Sequence, residues 1–156
     1  MTAPDLPLWT PTREAAAESA LARFCWTVSA IDPTAPEASA PYEAWHAWSV
    51  REPERFWAQV WRLTGVIATP RGEGPGAPVP WERVLVDGDR MAPPHGAAGP
   101  HWFPGARLNF AENLLRRRDG ATAIVARDEQ GRRRTLTFAE LADAVRRCAG
   151  ALRAAG

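Results

Sequence analysis

Ala123-Ile124-Val125-Ala126-Arg127-Asp128-Glu129-Gln130-Gly131-Arg132-Arg133-Arg134-Thr135-Leu136-Thr137-Phe138-Ala139-Glu140-Leu141 decides the fold, because its periodicity changes partway along. Ala123 to Ala126 and Arg134 to Thr137 flank the polar, glycine-containing turn Asp128-Glu129-Gln130-Gly131, which is the pattern of a β-hairpin. Thr137-Phe138-Ala139-Glu140 then forms a capping box, in which threonine and glutamate satisfy exposed amides reciprocally. Leu141, Val145, Cys148 and Leu152 follow at spacings of 4, 3 and 4, one apolar stripe on a helix. Gly156 suits the residue after that helix. A hairpin running into an amphipathic helix makes the class α+β.

Upstream the pattern is helical. Thr10 and Pro11 read as a helix start, with Ala17, Leu21, Phe24 and Val28 striping one face and Asp32-Pro33 ending it. Tyr42, Trp45 and Trp48 mark a second helix. Glu52-Pro53 opens a third, which carries Phe56, Trp57, Val60, Trp61 and Leu63 and stops at Gly65. A Pro/Gly-rich connection follows, with a short strand at Val84-Leu85-Val86 ended by Asp87-Gly88. A short helix spans about Asn109 to Arg117, with Leu114 and Leu115 facing inward and Asp119-Gly120 ending it. The divisions expected are a Trp-rich helical unit over 1–67, a connection over 68–100 and a third region over 101–156.

Composition bounds the function. Of 156 residues, 46% are hydrophobic, and the large apolar area sits in eight tryptophans and five phenylalanines, which marks a folded chain. Net charge is +1, so no long-range field draws nucleic acid or an acidic membrane. All 19 basic residues are arginine, and any mechanism needing a lysine from these residues is excluded. Cys25 and Cys148 form neither a disulfide framework nor a zinc pattern. No signal peptide or 18-residue apolar run is visible, so a cytoplasmic protein is expected.

No catalytic set emerges. Gly72-Glu73-Gly74-Pro75-Gly76 lacks the flanking strand, helix and lysine of a phosphate cradle and reads as linker. His46, His95 and His101 lack the i, i+4 pairing of a zinc helix. Both cysteines fall on apolar helical faces and read as buried small hydrophobes. Glu14 and Glu18 read as a solvated pair. Arg116-Arg117-Arg118 suits the last turn of a helix, where cations favour the dipole. Arg132-Arg133-Arg134 suits the mouth of a hairpin, where charge protects an edge. Both triplets are set against an arginine-rich nucleic-acid binder, which near-neutral charge disfavours. The tryptophans read as interior packing.

The order of elements carries a resemblance. Trp9-x-Pro11, Tyr42, Trp45, Trp48-Ser49-Val50, Pro53, Phe56-Trp57 and Val60-Trp61 lead to Trp102-Phe103-Pro104-Gly105-Ala106 and Leu108-Asn109-Phe110-Ala111-Glu112-Asn113-Leu114-Leu115. This resembles the start of acyl-CoA synthetases of the adenylate-forming superfamily, and its central wording resembles acetoacetate–CoA ligases. The resemblance runs from about Trp9 to Gly156 and covers about the first quarter of a family member. It implies a two-step reaction in which ATP and acetoacetate give an acyl-adenylate and pyrophosphate, and the thiol of coenzyme A then takes the acyl group. Magnesium neutralises the phosphates in the first step.

That chemistry requires a Ser/Thr/Gly-rich phosphate loop with lysine and a second lysine from a mobile C-terminal domain, and neither is in this sequence. No catalytic, cofactor-binding or metal-ligating residue is therefore assigned; ATP, magnesium and coenzyme A belong to the intact family member. Asn109 and Glu112 are expected only to orient a helix start. The fold implied is incomplete: a helical N-terminal cap, then a hairpin and helix that begin the AMP-binding large domain. Leu141, Val145 and Leu152 should then lie exposed, since the strands they would pack on come later. The stop at Gly156, directly after an apolar helix, favours a piece of a ligase, inactive alone, whose partner is the remainder of the enzyme. The alternative is a stand-alone interaction module built on the same unit.

Overall fold

The computed structural model describes residues 8–69, 79–90 and 99–156. It divides into two compact units, Met1–Gly65 with Trp81–Gly105, and Val66–Pro80 with Ala106–Gly156. Helices and two small antiparallel sheets make it α+β, as expected.

The first unit is built on four helices. The single opening helix expected from Pro11 onward is two: α1 (Arg13–Ala17) and α2 (Ala20–Ile31). Thr12 caps α1, accepting from the Ala15 amide, and Ser19 caps α2, accepting from the Ala22 amide. A serine oxygen competes with the helical ladder wherever it can reach a free amide, and Ser19 restarts the helix for that reason. Cys25 and Val28 are buried on α2, Phe24 is half-buried, and Leu21 stays 54% exposed.

α3 (Tyr42–Arg51) buries Trp45 and Trp48, while Tyr42 remains on the surface. α4 (Pro53–Thr64) starts on Pro53 and ends on Gly65 at φ 63°, a left-handed position that glycine takes without strain. The core joins Cys25, Val28, Trp45 and Trp48, with Phe24 and Phe56 packed against it. Trp48 is fully buried; its ring meets Trp45 edge-on at 5.6 Å and Phe56 at 6.0 Å.

Buried Asp32 ties this core to the loop after α2. Its Oδ1 accepts from the amide and hydroxyl of Thr34 at 3.0 and 2.7 Å and pairs with Arg55 at 3.4 Å. The Thr34 hydroxyl oxygen in turn accepts from the indole N–H of Trp48 at 3.2 Å. Burial alone would raise the Asp32 carboxyl. The hydrogen bonds from Thr34, followed by the Arg55 charge, outweigh it and hold the group below the usual carboxylate range.

Two short strands complete the first unit. β1 (Leu85–Val86) pairs with β2 (His101–Trp102), placing Leu85 opposite Trp102. The ring of Phe103 lies 4.6 Å from Trp61 and 5.2 Å from Trp81, and its backbone sits at φ 50°. A left-handed non-glycine costs about 1–2 kcal/mol. The aromatic nest and the bond from the Phe103 amide to the Val84 carbonyl at 2.8 Å offset it. Gly105 follows at φ 82°, where an added Cβ would stand 3.0 Å from the Glu82 side chain.

The second unit carries α5 (Phe110–Leu114), the hairpin β3 (Thr122–Arg127) and β4 (Arg133–Thr137), and α6 (Phe138–Ala154). α5 is shorter than expected. Arg116 to Arg118 lie beyond its end rather than in its last turn, and Leu114 is 59% exposed instead of facing inward. The hairpin registers Val125 with Thr135 and Arg127 with Arg133, and Gly131 takes the left-handed turn position at φ 77°. Arg132 belongs to the turn and pairs with Asp128 at 2.6 Å. The capping box on α6 forms as read: Glu140 N donates to Thr137 Oγ1 at 3.2 Å, and Thr137 N donates to Glu140 Oε2 at 2.8 Å.

Candidate functional site

Two surfaces gather several of the exposed apolar groups, one in each unit. In the first unit, Trp9, Leu21, Cys25, Trp26, Tyr42 and Trp45 line an open groove of about 540 Å³. Trp9 and Trp26 are 76% and 69% exposed and Trp57 and Trp102 are also exposed, so the reading of the tryptophans as interior packing holds fully only for Trp45, Trp48 and Trp81. Trp9 precedes α1 and Trp26 lies on α2, and the groove they line reaches the core residues Cys25 and Trp45. Among the described residues the indole N–H of buried Trp45 meets no hydrogen-bond partner. Burial raises the Cys25 thiol above its ordinary value, which keeps it protonated and unreactive.

In the second unit the apolar stripe of α6 is exposed progressively along the helix. Leu141 is half-buried, Val145 is 36% exposed, Cys148 is exposed and Leu152 is 68% exposed. Only Ala142 is buried on this helix. Cys148 thus corrects the expectation of two buried cysteines: it holds its place on the apolar stripe but is exposed among the described residues. A crevice of about 330 Å³ beside it is lined by Asn109, Leu115, Arg118, Val145 and Arg153 among others. On the hairpin, Ile124 and Val125 are 41% and 49% exposed.

The other sequence candidates scatter. His46 is exposed and stacks on Tyr42 at 6.0 Å, His101 sits in β2, and His95 and Gly72 to Gly76 lie outside the described residues. Glu14 and Glu18 are exposed on and after α1. Among the described residues no group of three or more His, Cys, Asp or Glu could hold a metal ion, and no helix is long and apolar enough to cross a membrane. With no lysine and no phosphate loop, the residues present do not fit ATP with magnesium.

The Asn109 motif is a fastener. Asn109 Oδ1 accepts from the Glu112 amide at 3.2 Å and caps α5. Asn113 does more than the sequence reading assigned to it. Its Oδ1 accepts from the Ile67 amide and its Nδ2 donates to the Ile67 carbonyl, both at 2.8 Å, so one side chain pairs with a distant backbone as a strand would. Asp32-Pro33 reads as a helix breaker, and the spacing Asp32-Pro33-Thr34, an Asx-turn pattern, is the signal for its second role.

No protein-family model matches the chain. Acetoacetyl-coenzyme A synthetase of Rhizobium meliloti (strain 1021) is 40% identical over 97% of this chain and 20% of its own length. Malonamoyl-CoA synthetase vrtB of Penicillium aethiopicum is 34% identical over 72% of the chain and 14% of its own length, and the acetoacetyl-CoA synthetase of Rattus norvegicus is 33% identical over 74% and 15%. Among solved structures, acetoacetyl-CoA synthetase from Streptomyces lividans superposes with a TM-score of 0.74 at 35% identity, covering 97% of this chain and 21% of that one. The chain thus spans about a fifth of the length of such relatives. By sequence and by fold over 97% of its length, it is a homologue of the acetoacetyl-CoA synthetases.

Proposed function

We propose that this chain serves as the N-terminal structural segment of an acetoacetate–CoA ligase: residues 1–67 cap the large AMP-binding domain, 68–100 connect, and 101–156 begin that domain. The intact enzyme would use ATP, magnesium and coenzyme A to convert acetoacetate to acetoacetyl-CoA, with AMP and pyrophosphate released, in the cytoplasm. The observation that carries this reading is the coincidence of 97% coverage of the chain with only about a fifth of the Rhizobium meliloti and Streptomyces lividans enzymes. A segment that aligns end to end yet lacks lysine contributes scaffold, and its catalytic partners lie in the other four fifths.

On this reading the choice of acid lies outside the segment. Relatives named for acetoacetyl products match it at 40% and 33% identity and the one named for malonamoyl-CoA at 34%, a similarity that supports the reading.

The test is pyrophosphate release from ATP with acetoacetate and magnesium. The purified chain alone should give none above blank. Grafted in place of the matching fifth of the Rhizobium meliloti enzyme, it should support acetoacetate-dependent release. Turnover by the chain alone would contradict the reading, as would a soluble graft that stays inactive.

A further inference from the structure

We infer that Arg127 and Arg133, opposite each other at the mouth of the β3–β4 hairpin, form a clamp for the phosphate chain of a small polyanion of the pyrophosphate class. The clamp is complete within this chain and stands whether or not the functional reading above holds.

The ladder brings the two side chains together. Arg127 and Arg133 are register partners, the last pair before the turn. Directly opposite residues send their side chains to the same face, with Cβ atoms about 4.5–5.5 Å apart, and like charges placed so destabilise the pair. The neighbouring carboxylates do not relieve this one. Asp128 Oδ1 accepts from the amides of Gln130 and Arg132 at 3.1 and 2.8 Å, and its Oδ2 pairs with Arg132 Nε at 2.6 Å. Glu129 is exposed in the turn. Arg134 registers with Ala126 instead, and its charge helps to lower the Glu140 carboxyl. Among the described residues no ion pair or side-chain hydrogen bond engages Arg127 or Arg133.

The surface at this point is concave. Ala126, Arg127, Asp128, Arg132, Arg133 and Arg134 line a hollow of about 330 Å³, with four guanidinium groups to one carboxylate. A guanidinium presents a planar fork that matches two phosphate oxygens at once. Two forks on one face suit adjacent phosphates of a chain, and a ligand carrying two or more negative charges cancels the repulsion that the empty hairpin carries. Binding therefore stabilises the hairpin. A net charge of +1 provides no extended basic surface, so the hollow suits a small polyanion and not a duplex.

The test is titration of the full chain with pyrophosphate, followed by the magnetic resonance signals of its amides and guanidinium groups. The buffer is free of magnesium and held at constant ionic strength with sodium chloride, because screening weakens exposed pairs. Signals of residues 126–134 should shift and saturate at millimolar concentration or below, and those of α2 and α3 should stay. Arg127→Gln and Arg133→Gln should each bind about tenfold more weakly, the scale of losing one charge-assisted partner of two. Arg13→Gln, exposed on α1, should bind as the unaltered chain does. Pyrophosphate should raise the melting temperature of the hairpin signals in the unaltered chain and leave it unchanged in the two hairpin variants.

ATP is titrated in parallel to identify the source of the phosphates. Equal affinity would place recognition on the phosphate chain alone, tighter binding of ATP would point to a nucleotide, and either result supports the clamp. No saturable shift with either ligand would overturn it. Binding by both hairpin variants as tight as that of the unaltered chain would overturn it as well.

Discussion

The two units of this chain hold similar kinds of side chain and treat them differently. In the first, two tryptophans, a valine and a cysteine from α2 and α3 bury one another, and a carboxylate with its arginine closes the loop beside them. In the second, a 17-residue helix with a clean 4, 3, 4 stripe buries a single alanine. The difference lies in the supply of opposing surface. Three helices can face each other around one core, but one helix on a two-stranded hairpin covers only the part of its stripe nearest the hairpin. A regular apolar period therefore reports which face a helix means to bury, and says nothing of whether the partner is within the same segment.

Three substitutions would sharpen that contrast. Trp48→Ala should have the largest effect, because it removes a fully buried ring that meets Trp45 and Phe56 and also donates to Thr34. A loss of about 3–5 kcal/mol is expected for such a truncation, read from the denaturant midpoint of the first unit's helical signal. The hairpin and α6 should be the less affected part. Equal loss in both units would break the comparison.

Asp32→Asn should cost about 1.5–3 kcal/mol at neutral pH, the usual range for a hydrogen bond to a charged group, toward the lower end because Arg55 is half exposed. Its pH dependence has a definite sign. The folded carboxyl titrates below the unfolded one, so its stabilisation is full above about pH 4 and is lost as pH falls through the folded value. Arg55 faces it, and Glu52 faces Arg55 at 3.7 Å. Asp119, Glu140 and Asp143 in the second unit are also lowered, chiefly by Arg117, by the Thr137 amide and by Arg146 respectively. The test is therefore the difference between the parent and Asp32→Asn profiles for the first unit, which should vanish in acid. A constant gap from pH 7 to pH 3 would contradict it.

Thr137→Ala should have the smallest effect, about 1 kcal/mol, by removing the capping box that starts α6. It should lower helicity measured by circular dichroism without touching the tryptophan signal of the first unit. An unchanged spectrum would mean that the cap is redundant.

Much of this was legible in the sequence, and the exceptions have physical causes. The capping box, the hairpin turn, the Pro53 start and the Gly65 stop all depend on residues within four positions of each other, and all formed as read. The break at Ser19 was hidden because the stripe of Ala17, Leu21, Phe24 and Val28 continues through it; only the serine's local bond to Ala22 reveals it. Leu114, Cys148 and Trp26 have apolar side chains whose burial depends on what stands opposite, which periodicity cannot report. Asn113 reaches 46 positions back to Ile67, a pairing no local pattern encodes. As for the site, the absence of lysine is legible directly in the sequence, whereas the exposure of Trp9, Trp26 and Leu152 is not.

The most direct test of this account is native-state hydrogen exchange on the chain alone, followed segment by segment. Amides of α2, α3 and α4 should be protected together, to nearly the full stability of their core. Those of β3, β4 and the C-terminal half of α6 should exchange much faster, and should slow on addition of the Rhizobium meliloti enzyme lacking the region that matches this chain. Uniform strong protection across both units, with no change on addition, would mean that the second unit is stable as it stands and that no further layer is needed to cover it.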